Sequence, residues 1–244
     1  MFIIKPYIFN KFPEIIFGFS TKIGGNEKST FDFNLSYSVG DNKSIVDSNR
    51  ELFLKAIGLD AKKVGYQRQT HSDIIKVINH AGDNGESDAL ITKGKNLGLA
   101  IIVADCTPIF IYDFENKVIA AVHSGWRGTE QKILYKTLIK LKENFDTKPD
   151  NLFVYMGPSI STINYEVGKE VAEKFNNKYI VQKNGKLFLD VSQINYDMLI
   201  EFGIPQNQIQ KSELCTFEFG SLLHSFRRDG IKSGRSLGVI AIKE

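Results

Sequence analysis

Leu97-Gly98-Leu99-Ala100-Ile101-Ile102-Val103-Ala104-Asp105-Cys106-Thr107-Pro108 runs into Ile109-Phe110-Ile111-Tyr112, then the polar stretch Asp113-Phe114-Glu115-Asn116-Lys117, then Val118-Ile119-Ala120-Ala121-Val122-His123-Ser124-Gly125-Trp126-Arg127-Gly128. Three apolar runs of strand length, bounded by a small-residue turn and a polar turn, read as buried strands over 97–103, 109–112 and 118–122. The polar turn at 113–117 reads as a hairpin. The first and third runs end on chemistry: Asp105 and Cys106 follow one, and His123 follows the other.

Working outward, strands are expected near 74–78 and 152–156, and helices near 129–143, 167–176 and 191–202. Asp190 stands as N-cap of the last helix, with Gly203 and Pro205 closing it. Asn42 to Ile57 carries apolar residues at Ile45, Val46, Leu52, Phe53, Ala56 and Ile57, an amphipathic helix with Gly58 at the C′ position. At least one antiparallel pair is required, so a purely parallel doubly wound sheet is not. The expected fold is mixed α/β with α+β character: one domain over residues 1–244, a mixed β-sheet core flanked by helices.

The composition, 42% hydrophobic and 24% charged over 244 residues, suits a globular core of that size. The longest apolar stretch, Leu97 to Ala104, falls far short of the roughly 18 to 20 residues that span a bilayer. The start, Met1 to Pro6, is too brief for a secretory h-region of about 7 to 15 residues. A cytoplasmic, non-membrane protein is expected. Two cysteines make no disulfide framework, and a reducing compartment keeps Cys106 available as a thiolate, with Cys215 buried or spare. The net charge of +3 comes from scattered lysines rather than a basic stripe, which gives nucleic-acid binding no support.

Candidate ligands stand out against this background. Gln69-Thr70-His71-Ser72, Ala104-Asp105-Cys106-Thr107-Pro108 and His123-Ser124-Gly125 place two imidazoles and a thiol at segment ends. Thiolate and imidazole hold zinc, and three protein ligands leave a fourth tetrahedral position open. His71 precedes Cys106 by 35 residues and His123 follows it by 17, so only tertiary structure can bring them together. Taken singly, Cys106 is equally readable as a small buried hydrophobe, His71 as a turn residue and His123 as a strand-end histidine bonded to backbone.

An ordered series of motifs spans nearly the whole chain. It runs Phe19-Ser20-Thr21-Lys22-Ile23-Gly24-Gly25, Asn34-Leu35, Gly40-Asp41, Asn49-Arg50, Gln69-Thr70-His71, Asp88-Ala89-Leu90-Ile91-Thr92, Ala104 to Pro108 and His123 to Gly128. Gly157-Pro158-Ser159-Ile160, Tyr165-Glu166-Val167-Gly168, Cys215-Thr216 and Ser225-Phe226-Arg227-Arg228-Asp229-Gly230 complete it. In this series the chain resembles the YfiH/YlmD family, also described as laccase-domain or multicopper polyphenol oxidase proteins, peptidoglycan editing factors and purine nucleoside phosphorylases. The resemblance implies a YfiH-like, cysteine-hydrolase-toxin type of fold, with His71, Cys106 and His123 at the positions of the family's metal ligands. Two departures stand out: Thr70 where the family often has an apolar residue, and Phe217-Glu218 where many members carry a second cysteine.

Around that core, Gly125 and Gly128 flank Trp126-Arg127 where a helix begins. Free N–H groups there, with the Arg127 guanidinium, suit a phosphate or carboxylate. Alternatively Arg127 pairs with a surface acid and Trp126 packs over the hairpin. Gly157-Pro158-Ser159 lets backbone approach a ligand or simply turns the chain. Arg227 and Arg228 are adjacent in a segment expected to be extended, so one at most faces the pocket; sequence alone leaves open which, and Arg227 is carried as the substrate-binding candidate. Asp105 is expected to orient a metal-bound imidazole, or to act with Cys106 and His123 in acid/base catalysis.

Three chemistries can be built on this set. The family's purine activities imply a zinc-dependent enzyme that uses phosphate to cleave adenosine, inosine or methylthioadenosine, or water to deaminate adenosine. The toxin-like fold implies a Cys106–His123 nucleophile for amide cleavage, as in removal of a misincorporated amino acid from a peptidoglycan precursor. The laccase label implies copper and phenol oxidation, but four histidines are few for a multicopper centre, though Cu2+ suits the same ligands as Zn2+. A closed structural zinc would instead need a fourth ligand from His80, His224 or Cys215. The expected partners are small molecules, a purine nucleoside and phosphate, with no obligate protein partner.

Overall fold

Alternation along the apolar runs sends neighbouring side chains into different cores. The computed structural model describes residues 1–25 and 29–243. Its strands in chain order are β1 Ile3–Ile4, β2 Ile15–Ser20, β3 Val64–Arg68, β4 Ile75–Val77, β5 Gly82–Glu86, β6 Ala89–Thr92, β7 Gly98–Val103, β8 Thr107–Asp113, β9 Val118–Ser124, β10 Leu152–Met156, β11 Glu166–Val167, β12 Ile180–Lys183, β13 Lys186–Leu189, β14 Ile209–Lys211 and β15 Ser236–Ile242. The α-helices are α1 Lys43–Ala56, α2 Trp126–Glu130, α3 Ile133–Phe145, α4 Lys169–Ala172, α5 Val191–Glu201 and α6 Phe226–Asp229.

Six strands form one sheet in the order β1-β2-β15-β7-β3-β5, six a second in the order β14-β10-β8-β9-β6-β4, and β11-β13-β12 a small third. Both large sheets are mixed: β15 runs antiparallel to β7 and β8 to β9, while β3 is parallel to β7 and β14 to β10. They pack face to face. Phe110, Tyr112, Ile119, Ala121, Phe153 and Tyr155 of the second sheet meet Phe17, Phe19, Leu99, Ile101 and Val103 of the first.

The opposite parity points outward. Ile109, Ile111, Ala120, Val122 and Val154 lie beneath Ile133, Leu134, Leu138 and Leu141 of α3 and Leu199 of α5. On the far side, Ala100, Leu237, Val239 and Ala241 lie beneath Phe53 and Leu54 of α1. The layers are therefore helix, sheet, sheet, helix. With both faces of each sheet covered, β8 and β9 must be apolar at nearly every position, which explains their unbroken runs. Phe110 and Ile111 are 0% exposed, and burying each such side chain contributes about 1.5–3 kcal/mol. The expected mixed, helix-flanked core is present, divided into two sheets rather than one.

Local signals behave as the residues dictate, with exceptions. Asn42 caps α1 by accepting from the Ser44 N–H, and Gly58 takes the left-handed conformation beyond its end (φ 80°). Asp190 caps α5 by accepting from the Gln193 N–H, and the Asp113 carboxylate ties the hairpin turn through Glu115 and Asn116. The helix expected over 129–143 begins earlier, at Trp126, and is broken in two because Lys132 adopts a left-handed backbone (φ 59°). The helix expected over 167–176 shortens to α4, since residues 166–167 pair with β13 instead.

Candidate metal centre

The register of the second sheet assembles the site. β9 lies between β8 and β6, with His123 opposite Pro108 on one side and Val122 opposite Ala89 on the other. Two steps beyond the first pair Cys106 reaches the level of Gly125, and one step beyond the second Asp88 comes beside His123. The His123 N–H donates to the Asp88 carbonyl at 2.8 Å, and His123 Nδ1 lies 2.7 Å from Asp88 Oδ1.

Asp88 also brings in the third ligand. Its buried carboxylate accepts from the backbone N–H groups of Thr70 (3.1 Å), His71 (3.1 Å) and Ser72 (2.7 Å), and from the Ser72 hydroxyl (2.7 Å). The loop after β3 is thus wrapped around one carboxylate, with His71 held in a left-handed backbone (φ 59°). Strain of this kind persists only where surrounding bonds enforce it. His71 is exposed and His123 is buried at the floor, their ring centroids 4.9 Å apart.

His71, Cys106 and His123 each offer a ligand atom within 4.8 Å of the others, and Cys106 Sγ is 3.8 Å from His71 Nε2. Tetrahedral zinc, with bonds of about 2.3 Å to sulfur and 2.0–2.1 Å to nitrogen, separates its ligand atoms by about 3.3–3.6 Å. The cluster therefore has the span of one ion. Asp88 occupies Nδ1 of His123 and leaves Nε2 for the metal, the arrangement that fixes tautomer and ring orientation in zinc sites. A Cβ built on Gly125 would stand 2.9 Å from Cys106 Sγ and 3.1 Å from His71 Cδ2, so the space beside the ligands depends on glycine there.

Electrostatics favour the ligating form of the thiol. Burial works against a Cys106 thiolate, but the His123 charge and hydrogen bonds from His123 and His71 outweigh it and lower the thiol from 9.0 to about 6. Burial likewise opposes charge on His123, while the Cys106 thiolate and Asp88 raise the imidazole above its ordinary range. Asp88 is desolvated, yet hydrogen bonding and the charge of His123, with the Ser72 bonds, hold it down at about 2.

The residues proposed for a fourth protein ligand lie elsewhere. His80 is exposed with Nδ1 against the Ala81 carbonyl, and His224 is buried against the Phe33 carbonyl. Cys215 is buried and accepts from the Ser161 N–H and Asn164. Among the described residues, the cluster has three protein ligands.

Asp105 does not orient an imidazole; Asp88 does. Asp105, in a left-handed backbone (φ 89°), accepts from the Thr216 hydroxyl (2.6 Å) and the Arg227 N–H (2.7 Å), docking the C-terminal segment beside Cys106. That segment is the short helix α6, not an extended strand. Arg228 turns away and donates to the Thr216, Phe217 and Leu223 carbonyls and to Asp229. Arg227 faces Tyr165, its guanidinium 5.0 Å from the ring centroid, and donates to the Glu166 carbonyl. Arg127 is exposed, 4.3 Å above the Trp126 ring, with no acidic partner among the described residues. Trp126 packs toward Leu189, Val191 and Ile194, not over the hairpin. Gly128 is a packing position, where a Cβ would meet Ile133 at 3.2 Å and the Ser72 carbonyl at 3.5 Å. Gly157 meets Pro108 at 2.9 Å, likewise packing.

Residues 16–243 match the family model for multi-copper polyphenol oxidoreductase laccase. The chain belongs to the YfiH/YlmD family. It is 32% identical over 242 residues to a purine nucleoside phosphorylase of Bacteroides thetaiotaomicron, covering 91% of this chain and 90% of that one. A Corynebacterium glutamicum purine nucleoside phosphorylase is 36% identical over 231 residues, with 91% and 92% covered. Among solved structures, the Bacillus licheniformis hypothetical protein YfiH superposes with a TM-score of 0.90 at 29% identity, over 96% of this chain and 94% of that one. YlmD from Geobacillus stearothermophilus gives 0.88 at 26% identity, over 96% and 93%. This YfiH/YlmD member thus combines the family's mixed α/β fold with a His/Cys/His cluster able to coordinate a metal ion. No helix among the described residues is long and apolar enough to cross a membrane.

Proposed function

We propose that this protein is a zinc-dependent purine nucleoside enzyme, phosphorolysing adenosine, inosine or methylthioadenosine and deaminating adenosine. The convergence of two imidazoles and one thiol, without a fourth protein ligand among the described residues, carries the reading. The relatives named purine nucleoside phosphorylases supply the substrate class. Zinc held by His71, Cys106 and His123 would supply a Lewis acid that activates an oxygen nucleophile at neutral pH.

The chain's own residues do the rest. Asp88 fixes His123 and the His71 loop, so the ligands need no rearrangement on substrate binding. Arg127 offers phosphate a guanidinium with no acidic partner among the described residues, and Arg227 is braced on Tyr165 nearby. In phosphorolysis a phosphate oxygen bonds to the anomeric carbon as the bond to the purine nitrogen breaks, and the base leaves protonated. In deamination, water adds at purine carbon six and ammonia leaves.

A multicopper oxidase reading is disfavoured because the cluster holds two imidazoles and one thiol, a single-ion set. The lowered Cys106 thiol beside His123 favours a second reading, amide cleavage on a peptidoglycan precursor. Zinc-loaded protein incubated with nucleosides, with and without phosphate, separates these. Free base with ribose 1-phosphate, or inosine from adenosine, supports the nucleoside reading. Neither product from fully loaded protein overturns it, and an amino acid released from a nucleotide-linked muramyl precursor supports editing.

A further inference from the structure

Arg235 is a charge with no carboxylate partner among the described residues, set beside the metal centre. The β15–β7 register sets Ser236 opposite Val103, which carries Arg235 to the level of Ala104, next to Asp105 and Cys106. Its guanidinium is 5.3 Å from the Phe226 ring centroid, and Phe226 adjoins Arg227, whose N–H is bound by Asp105. The side chain is half-buried and forms no ion pair with a carboxylate among the described residues. Only Nη1 is engaged, with the Ser233 and Gly234 carbonyls at 2.7 and 2.9 Å. Asp105 makes no bond to it, its carboxylate oxygens accepting instead from the Thr216 hydroxyl and the Arg227 N–H.

A guanidinium carries five N–H donors, and burying part of one without an anion is costly unless a ligand completes it. Desolvation lowers Arg235 from its ordinary range, and the nearby charges of Asp105 and Cys106 act against that shift, so all three share one neighbourhood. Arg127, Arg227, Asp105 and Cys106 lie close enough to Tyr165 for their charges to act on its phenol.

We propose that Arg235 is an inner phosphate contact of this site, using its free Nε and Nη2 donors to hold a tetrahedral oxyanion beside Cys106, with Arg127 as the outer contact. The proposal rests on the phosphate-using reading above. It makes Arg235 a substrate-binding residue.

The test uses the single tryptophan, Trp126, as a probe within reach of the anion. Inorganic phosphate is titrated into zinc-loaded wild type, Arg235→Gln and Arg235→Lys while fluorescence, zinc stoichiometry and melting temperature are recorded. Loss of the charged fork should weaken phosphate about tenfold or more in Arg235→Gln, with part of that recovered in Arg235→Lys and zinc content unchanged. Unchanged phosphate affinity in both variants, or no saturable phosphate response in wild type, overturns the proposal. Should Arg235→Gln fail to fold, Arg235→Lys decides, because a lysine cannot reproduce two-point contact and must still weaken phosphate. Phosphate binding that depends on Arg235 in a protein that cleaves no nucleoside would uphold this inference while refuting the nucleoside reading. Nucleoside cleavage with an unaltered phosphate KM in Arg235→Gln would do the reverse.

Discussion

Replacing Asp88 by Asn keeps the shape of the side chain and removes the charge on which two metal ligands depend. The carboxylate accepts from three backbone N–H groups, one hydroxyl and the His123 ring. An amide has one acceptor oxygen, and its NH2 group would face donors, so at least one N–H group in the 70–72 loop loses its partner together with the His123 ring. Aimed at the buried Asp88 side chain, an orphaned donor costs about 1–3 kcal/mol, and the lost charge-assisted bond to His123 adds a similar amount. The expected destabilisation of the metal-free protein is about 3–5 kcal/mol. Zinc affinity should fall about 10- to 100-fold, since both His71 and His123 lose their orientation. The wild-type pH dependence has a definite sign. Asp88 is held at about 2 instead of 3.8 in the folded state, so its contribution is fully present above the unfolded value and is lost as pH falls from about 4 toward 2. Urea unfolding of metal-free protein between pH 7 and pH 3, with zinc affinity measured by chelator competition, reads both effects. An Asp88→Asn protein within about 0.5 kcal/mol of wild type, with unaltered zinc affinity, would refute the claim that one carboxylate builds the site.

Gly125→Ala places a methyl 2.9 Å from Cys106 Sγ and 3.1 Å from His71 Cδ2; we expect zinc affinity to drop at least about tenfold while the far core is untouched, checked by chelator competition against unfolding midpoint. In metal-free protein, Cys106 should react with iodoacetamide at pH 7 and lose that reactivity as pH falls through about 6, because its thiolate is favoured by the neighbouring imidazoles. Peptide mapping checks this, with buried Cys215 protected, and a Cys106 profile centred near 9 would contradict the assigned electrostatics.

The strands that carry the site were legible because their apolar runs are long and end on polar residues. Residues 97–103, 109–112 and 118–122 correspond to β7, β8 and β9. The division into two sheets was not legible, since a strand covered on both faces shows no alternation to say which neighbour covers which face. Strand β5, Gly82-Asp83-Asn84-Gly85-Glu86, escaped for the opposite reason: it is a polar edge strand, paired to β3 alone, whose residues prefer turns. The break at Lys132 was invisible because lysine carries no signal for a left-handed backbone.

At the site, the ligating side chains announced themselves by type, whereas the residues that position them did not. His71, Cys106 and His123 are the thiol and imidazoles at segment ends, and chemistry restricts which residues can hold zinc. Asp88 and Asp105 are both acids adjoining an apolar strand, and adjacency to Cys106 in sequence favoured Asp105. Pairing across β6 and β9 decides for Asp88, because a residue beside His123 in the sheet is closer than one beside Cys106 in the chain. The same holds for Arg235, which is 129 residues from Cys106 in sequence yet carried by the β15–β7 register to the level of Ala104, two residues before it. A ligand can be recognised from what it is, but an orienting acid or an anion-binding arginine belongs to a common residue type, and only the strand register selects the one that acts.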